Sequence, residues 1–194
     1  MSVRVVEKAL RKNGRVMVKV SVTLPKPDKK QRHMRTYYQT FERVLMRHAV
    51  KRLLPSAVRG SQACKPAEFV PYTLTAKHTV TLHTDTRLSL YTDIVEYADG
   101  LAVTERIADT WDLGTGLPMG LGAFFPSGGF ALPGHAKRQA ASAVASQALH
   151  DAPSVKHLRI DDFYLTPDRI VLFWQPGAAG SSGHSARELS LPRA

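Results

Sequence analysis

The sequence predicts a single α+β domain over residues 1–194, in which an antiparallel β-sheet, made of a hairpin and a meander, has two helices packed on it. Three observations predict this class. Apolar residues alternate around an Asn-Gly pair near the N-terminus, three Thr- and Val-rich segments follow one another in mid-chain, and two segments have helical periodicity. Helices that interrupt a series of antiparallel strands are typical of α+β domains.

The first two strands are predicted at residues 3–10 and 15–24, on either side of Asn13-Gly14. The second strand has valine at alternate positions, which are Val16, Val18, Val20 and Val22. This alternation beside Asn-Gly predicts a hairpin, because the dipeptide readily adopts the positive φ angles of a tight turn. The segment PKPDKK then ends the second strand, since proline cannot donate to a β ladder.

A first helix is predicted over residues 33–54, with its end at Pro55. Its apolar residues recur at spacings of three and four, as one face of a helix requires. They are Met34, Tyr38, Phe41, Leu45, Ala49 and Leu53. Residues 56–68 are predicted to form a loop.

A row of basic residues lies on another face of this predicted helix. Arg43, Arg47 and Lys51 are four residues apart and therefore stack along the helix. One interpretation is a solvated face, and the other is a contact surface for phosphates or carboxylates. These are the partner-contact residues that the sequence singles out.

A meander is predicted from strands at residues 70–83, 87–97 and 101–111, with a turn at 98–100. These segments are rich in Thr, Val, Tyr and Leu, with rough alternation. Their short connections favour antiparallel neighbours.

The C-terminal third is predicted to begin with a second helix at residues 134–150, whose apolar residues are mostly alanine. Strands at 162–166 and 170–175 follow. The Gly- and Ser-rich residues 176–185 form a loop before a final edge strand at 187–192.

The glycine-rich segment TWDLGTGLPMGLGAFFP, residues 110–126, raises the question of a phosphate-binding loop. Its part GTGLPMG imitates G-x-G-x-x-G but has one residue more before its last glycine, Pro118 lies inside it, and no βαβ unit surrounds it. Asp112 to Gly116 is predicted instead to be a tight turn, and residues 117–121 a short strand.

The charge of the chain is concentrated in its first third. The net charge is +11, and residues 1–60 hold 16 Lys or Arg against three acidic residues, a net of +13. Residues 61–194 hold 11 against 13, a net of −2. Such asymmetry indicates either a solubilising surface or an anionic partner, such as nucleic acid, anionic lipid or an acidic polymer.

Targeting signals are not evident in the sequence. No apolar run approaches the roughly 18–20 residues of a membrane span, and the N-terminus lacks the apolar core of a signal peptide. The sequence as written therefore predicts a cytoplasmic protein, and an extracytoplasmic one if a leader was removed. The single cysteine, Cys64, excludes an internal disulfide and a thiolate metal cluster.

The sequence predicts no catalytic residues, no cofactor and no metal site. His78 and His83 are five apart on a predicted strand and face opposite sides. Glu105 and Asp109 would lie about 14 Å apart, which is too far for paired acid–base work. His48, at the edge of the apolar stripe, is interpreted as a satisfied boundary residue. We therefore expect a protein that is not an enzyme, and an active site assembled only in three dimensions is the alternative.

Two motifs resemble a known family. WDLGTGLPMGLGAFFP, residues 111–126, and DDFYLTPDRIVLFWQP, residues 161–176, are similar to the two signatures of the RsiV-like (DUF3298-like) domain of unknown function. This domain forms the extracellular part of a lysozyme-sensing anti-sigma factor, and it occurs beside polysaccharide deacetylase domains and in many Firmicutes proteins. The resemblance covers residues 67–192 best, and the basic hairpin and helix of residues 1–60 are compatible with it.

The resemblance implies a non-enzymatic binding or sensing module whose partner is a protein or an anionic cell component. This chain has ADGLAV where the family often has Gly-Gly-Ala-His, and GAAGSSG where the family has a Tyr-Glu motif. The resemblance therefore does not identify the ligand of this chain. Lysozyme, which is itself basic, suits a chain of net charge +11 poorly. The alternative function is binding of nucleic acid or an anionic polymer through the basic N-terminal third.

Overall fold

The computed structural model describes residues 2–65, 67–124, 159, 161–176 and 186–192. The strands are β1 (Ser2–Lys12), β2 (Arg15–Lys26), β3 (Tyr72–His83), β4 (Arg87–Ala98), β5 (Leu101–Asp112), β6 (Phe163–Leu165), β7 (Arg169–Trp174) and β8 (Arg187–Pro192). The helical elements are α1 (Arg32–His48), a π-helical turn (Ala49–Leu53), α2 (Leu54–Ala63) and a 3₁₀ turn (Leu121–Phe124).

The predicted α+β fold class is wrong. The described part of the chain is mostly β, with a five-stranded sheet of order β1-β2-β3-β4-β5 and a separate three-stranded sheet of order β6-β7-β8. The first sheet is mixed, because β2 and β3 run parallel with Val18 opposite Tyr72. The physical reason is the helical segment between these strands, which returns the chain to the end of the sheet where β2 began.

The helical content also differs from the prediction. Within the described residues, α1, the π-helical turn and α2 form one continuous helical segment. The second helix, predicted at residues 134–150, lies outside the described residues. The prediction that the first helix ends at Pro55 is wrong, since Pro55 stands in the first turn of α2, where its missing N–H costs little.

Eight of the predicted strands are confirmed as single elements. β1 and β2 pair antiparallel through a turn at Asn13 and Gly14, whose φ angles are 50° and 77°. Asp99 and Gly100, with φ of 51° and 79°, make the corresponding turn between β4 and β5. Both pairs have the positive φ angles that fit a tight hairpin, because they match the twist of the flanking strands.

The chain divides into two compact units, and the one-domain prediction stays a prediction. Unit 1 is Met1–His78 with Thr92–Glu105, and unit 2 is Thr79–Tyr91 with Arg106–Ala194. In unit 1 the helical segment packs on β2. Its core joins alternate residues of β2 to one stripe of the helix: Val18, Val20, Val22, Leu24, Met34, Tyr38, Leu45, Ala49, Leu53 and Ala57. Each buried Val or Leu contributes about 1.5–3 kcal/mol.

The π-helical turn explains why this stripe continues so far. From Leu45 to Ala57 the buried residues are spaced by four, which makes twelve residues for three turns. Three α-helical turns of ~3.6 residues take only about eleven. The π-helical turn, in which the Leu54 N–H donates to the Ala49 carbonyl, absorbs the extra residue and keeps the stripe against β2.

Unit 2 is built on the three-stranded sheet. Its central strand β7 is buried from Ile170 to Trp174, because both faces of this strand are covered. One face belongs to a cluster with Leu121, Phe124 and Leu189, and the other to a cluster with Tyr91. The predicted short strand at residues 117–121 is wrong, since Pro118 makes an isolated bridge to Trp111 and a 3₁₀ turn begins at Leu121.

Candidate functional site

A strongly charged cavity lies in unit 1, between the end of the β1–β2 hairpin and the start of α1. Its volume is ≈ 240 Å³. Four cationic side chains and one carboxylate line it, together with prolines, Tyr38 and Gln39; the charged residues are Arg4, Lys26, Lys29, Arg35 and Glu42. The cavity therefore combines an excess of positive charge with an apolar floor.

The local sequence explains how these cations converge. Pro25 is paired with Val3 near the end of β2, and Pro27, directly after the last residue of β2, has no N–H to donate to a further ladder hydrogen bond. A turn follows, in which the Gln31 N–H donates to the Asp28 carbonyl at 3.0 Å and the Asp28 N–H donates to Gln31 Oε1 at 3.2 Å. The chain then enters α1 at Arg32 without an acidic residue in the first turn. The positive end of the helix dipole is therefore not neutralised by its own side chains.

One wall of the cavity already holds a carboxylate. Arg4 Nε lies 2.9 Å from Glu42 Oε2, and Arg4 Nη2 donates to Glu42 Oε1 at 3.2 Å. This two-point geometry is the one by which guanidinium groups recognise carboxylates and phosphates. The Glu42 side chain is only 17% exposed, whereas that of Arg4 is 51% exposed.

The other three cations of the cavity are exposed side chains. In the part of the chain that the structure describes, the side chains of Lys26, Lys29 and Arg35 have no hydrogen-bond or ion-pair partner. Three unpaired cations beside one fork-bound carboxylate can attract a further anion, because the local charge remains positive after Glu42 is counted.

The predicted basic row is exposed, as its solvated interpretation and its contact interpretation both require. Arg43 and Arg47 lie on α1 and Lys51 lies in the π-helical turn, and the structure confines none of them to the core. Arg43 donates to the Gln39 carbonyl at 3.3 Å and to Thr40 Oγ1 at 3.0 Å, so its guanidinium is partly engaged on its own helix. The role of the row as a contact surface stays a prediction.

The cavity adds residues that the sequence did not single out. Arg35 precedes Arg43 by eight residues with Gln39 between them, so that the row continues along the helix into the cavity. The sequence feature that could have identified these cavity residues was the density of Lys and Arg in PKPDKK and at the start of the helix. The contribution of Arg4 comes from its contact with Glu42 on α1, 38 positions away, which no local pattern reports.

Two of the three histidines weighed in the sequence analysis, His48 and His78, make hydrogen bonds within unit 1. His48 Nε2 lies 2.6 Å from Glu96 Oε2, and His78 Nδ1 lies 3.0 Å from the Thr23 carbonyl. Cys64 Sγ donates to the Gly60 carbonyl at 3.4 Å. Over the described residues, no three His, Cys, Asp or Glu side chains are grouped so that they could hold a metal ion.

Unit 2 contains a network centred on Arg106. Its guanidinium carbon lies 3.8 Å from the centre of the Tyr91 ring, and Nη1 donates to Glu188 Oε1 at 2.6 Å. Gln175 Nε2 donates to the Arg106 carbonyl at 2.7 Å and to Asp162 Oδ2 at 3.1 Å. The Arg106 side chain is only 11% exposed, so we interpret the network as structural.

The same network changes the acidity of Tyr164. Burial, followed by the hydrogen bond to Glu188, raises the pKa of the Tyr164 phenol well above its ordinary value. The phenol therefore stays protonated and acts as a hydrogen-bond donor. The hydrogen bond to Glu188 links Tyr164 on β6 to β8.

The predicted tight turn at residues 112–116 is confirmed. The Thr115 N–H donates to Asp112 Oδ1 at 2.8 Å, and Gly116 has φ of 71°. This backbone hydrogen bond holds the pKa of the Asp112 carboxyl below its usual range. The loop thus uses its own carboxylate to bind its N–H groups, which leaves the glycine-rich segment without the geometry of a phosphate loop.

The described helices include none that is long and apolar enough to span a membrane. The fold and the cavity together define a mostly β protein with a basic surface on unit 1. No protein-family model matches the chain, and no curated protein matches it either.

Solved structures do match the fold. The chain is similar to a DUF3298 family member from Bacteroides fragilis NCTC 9343, with a TM-score of 0.62 and 14% identity, covering 98% of this chain and 89% of that one. It is also similar to a DUF3298 family protein from Pseudomonas aeruginosa PAO1, with a TM-score of 0.59 and 16% identity, covering 98% and 90%. The chain therefore has a DUF3298-like fold.

Proposed function

We propose that this chain is a non-enzymatic binding module whose basic cavity takes an anionic group, a carboxylate or a phosphate, of a partner molecule. The observation that carries the proposal is the cavity of Arg4, Lys26, Lys29 and Arg35, in which Glu42 already occupies the guanidinium fork as a ligand carboxylate would. The helix row Arg43, Arg47 and Lys51 is proposed to extend the contact along a polymeric partner.

The RsiV-like part of the proposal is a sensing role, in which binding reports the presence of an anionic cell component. The motif resemblance at residues 111–126 and 161–176 supports it. The cytoplasmic location that the sequence predicts stays a prediction, and cell fractionation would decide it. Location decides the natural partner, because wall polymers are met outside the membrane and nucleic acids inside it.

Nucleic-acid binding is the second candidate, carried by the net charge of +13 in residues 1–60. Backbone neutralisation alone gives sequence-independent affinity that falls steeply with salt. Stacking residues are its distinguishing feature. The aromatic residues of α1 that could stack on bases pack together instead. The Tyr37 and Phe41 rings are nearly parallel with centres 6.2 Å apart, and Tyr38 is buried.

The test compares three labelled probes: poly-L-glutamate, inorganic polyphosphate and single-stranded DNA. Fluorescence anisotropy at low and physiological salt measures their affinity for the full chain. Two triple variants remove the same charge from different places: Lys26→Gln/Lys29→Gln/Arg35→Gln in the cavity, and Arg43→Gln/Arg47→Gln/Lys51→Gln on the row. Circular dichroism checks that both variants fold.

We expect the cavity variant to lose at least tenfold in affinity and the row variant to lose less. Equal losses would mean that only net charge matters, and the cavity would no longer carry the proposal. Tight binding of DNA without binding of polyphosphate would favour the nucleic-acid candidate, since both probes carry phosphates but only DNA has bases. No binding of any probe at low salt would overturn both candidates.

A further inference from the structure

A second cavity of unit 1 has the opposite chemistry to the first. It lies where the end of α2, the start of β3 and the β4–β5 turn meet, and its volume is ≈ 270 Å³. Its walls are three aromatic rings, two carboxylates and smaller groups; the rings and carboxylates belong to Phe69, Tyr72, Tyr97, Glu68 and Asp99. In a chain of net charge +11, a cavity whose described walls hold acidic side chains and no Lys or Arg selects for a different ligand.

The cavity is lined by three aromatic rings, a side-chain type that attracts cations. The Phe69 and Tyr72 rings have centres 6.1 Å apart, and Tyr97 is partly exposed on the same cavity. The guanidinium carbon of Arg15 lies 4.8 Å from the centre of the Phe69 ring. A cation of the chain itself therefore already uses this ring, although Arg15 does not line the cavity.

The carboxylate of Asp99 is held in a fixed position. The Tyr72 hydroxyl donates to Asp99 Oδ1, and it can reach that oxygen because Gly60 has no side chain. A Cβ at Gly60 would lie 2.7 Å from Tyr72 Oη. A carboxylate has about four acceptor sites, so one phenol leaves Asp99 able to accept from a further donor.

The nearby cations do not fill this cavity. Arg59 donates to Ser56 Oγ at 2.9 Å, and it is not among the lining residues. Lys65 Nζ lies 3.8 Å from Glu68 Oε1, but both side chains are mostly exposed to solvent.

We propose that this cavity binds an alkylammonium group of about the size of a lysine side chain. Aromatic faces around a fixed carboxylate are the combination that recognises ammonium ions, because the rings attract the charge while the carboxylate accepts its N–H groups. The site shares no residue with the basic cavity, so the inference stands independently of the proposed function.

The test uses n-butylammonium chloride as the probe and n-butanol as its neutral counterpart. NMR titration of the full chain measures the affinity for each. Asp99→Asn is the principal variant, because asparagine tolerates the positive φ of 51° and still accepts a hydrogen bond from Tyr72. Glu7→Gln is the matched control, since it removes one negative charge from an exposed position on β1 outside the cavity.

We expect saturable binding of the amine, no saturation by the alcohol, and at least a tenfold loss in Asp99→Asn with little change in Glu7→Gln. A second variant, Tyr97→Leu, should weaken binding by about two- to fivefold, which is typical of a cation–π contact at a partly exposed ring. Equal binding of amine and alcohol, equal effects of Asp99→Asn and Glu7→Gln, or no binding of the amine at millimolar concentration would each overturn the proposal.

Discussion

The substitution Glu42→Gln tests whether the basic cavity is an anion-binding site or only contains a structural ion pair. It distinguishes these two interpretations better than the removal of a cation does. If the basic cavity binds anions, Glu42 competes with the ligand for the guanidinium of Arg4, and its neutralisation should strengthen binding. If the Arg4–Glu42 pair only holds β1 to α1, the same change should leave affinity unchanged or weaken it. The two interpretations therefore predict effects of opposite sign.

The magnitude follows from the size of the cavity. A space of ≈ 240 Å³ is about 8 Å across, so a bound anion lies on the order of 5 Å from the Glu42 carboxylate; unit charges at that distance repel by about 1 kcal/mol in water and about 3 kcal/mol near a protein surface. Salt at ~0.15 M roughly halves this repulsion. We therefore expect Glu42→Gln to increase affinity by about 1 kcal/mol, or roughly fivefold.

The stability cost of this change should be small. Arg4 is half exposed, and pairs of this kind contribute about 0–1 kcal/mol. The assay is fluorescence anisotropy with polyphosphate at physiological salt, with Glu7→Gln as the control of equal net charge. A fivefold gain in both variants would refute the reasoning, because it would reflect total charge alone, and so would a loss of affinity in Glu42→Gln.

Three further predictions concern stability. Arg106→Met should lower the free energy of unfolding by about 2–3 kcal/mol, since it removes a desolvated cation–π contact and the ion pair with Glu188, whereas Arg106→Lys should cost roughly half as much; equal melting curves of the two variants would contradict this. Gly60→Ala should cost about 1–3 kcal/mol by overpacking against the Tyr72 hydroxyl, while Gly120→Ala, where the added Cβ meets no atom within 4 Å, should be neutral in urea unfolding. The pKa of Tyr72 is raised from 10.0 to about 12, chiefly by burial and then by Asp99, so its contribution to stability should be complete below pH 10 and lost as the pH rises through 12. Tyr72→Phe should remove that part of the pH dependence, and an unchanged alkaline profile would contradict it.

Local elements were predictable where their determinants are local. The Asn13-Gly14 and Asp99-Gly100 turns have residues that accept positive φ, and alternating segments beside them became strands within a few residues of the predicted bounds. The helix was likewise identified from its apolar stripe. What failed was its end at Pro55, because the preceding π-helical turn shifts the hydrogen-bond register and places proline where no donor is needed.

Pairing and site geometry were not predictable, because they depend on contacts between distant residues. The parallel pairing of Val18 with Tyr72 has no signature in either strand, so an antiparallel sheet was the default expectation. The basic cavity likewise joins Arg4 to Glu42 across 38 positions. Charge counting identified the third of the chain in which the basic cavity lies but singled out the helix row. Stacking at i and i+4 is visible in a sequence, whereas the contact of Arg4 on β1 with Glu42 on α1 is not.

The parallel pairing has a consequence for the rate at which this protein folds. The β1–β2 hairpin closes through a two-residue turn, but joining β2 to β3 brings together positions 54 apart in the chain, 18 and 72. Closing such a long loop costs conformational entropy before any β2–β3 hydrogen bond forms. The hairpin and the helix should therefore form early, and the parallel pairing of β2 with β3 late. Substitutions at the β2–β3 pairing should therefore mainly accelerate unfolding, while substitutions at the Asn13-Gly14 turn should mainly slow refolding.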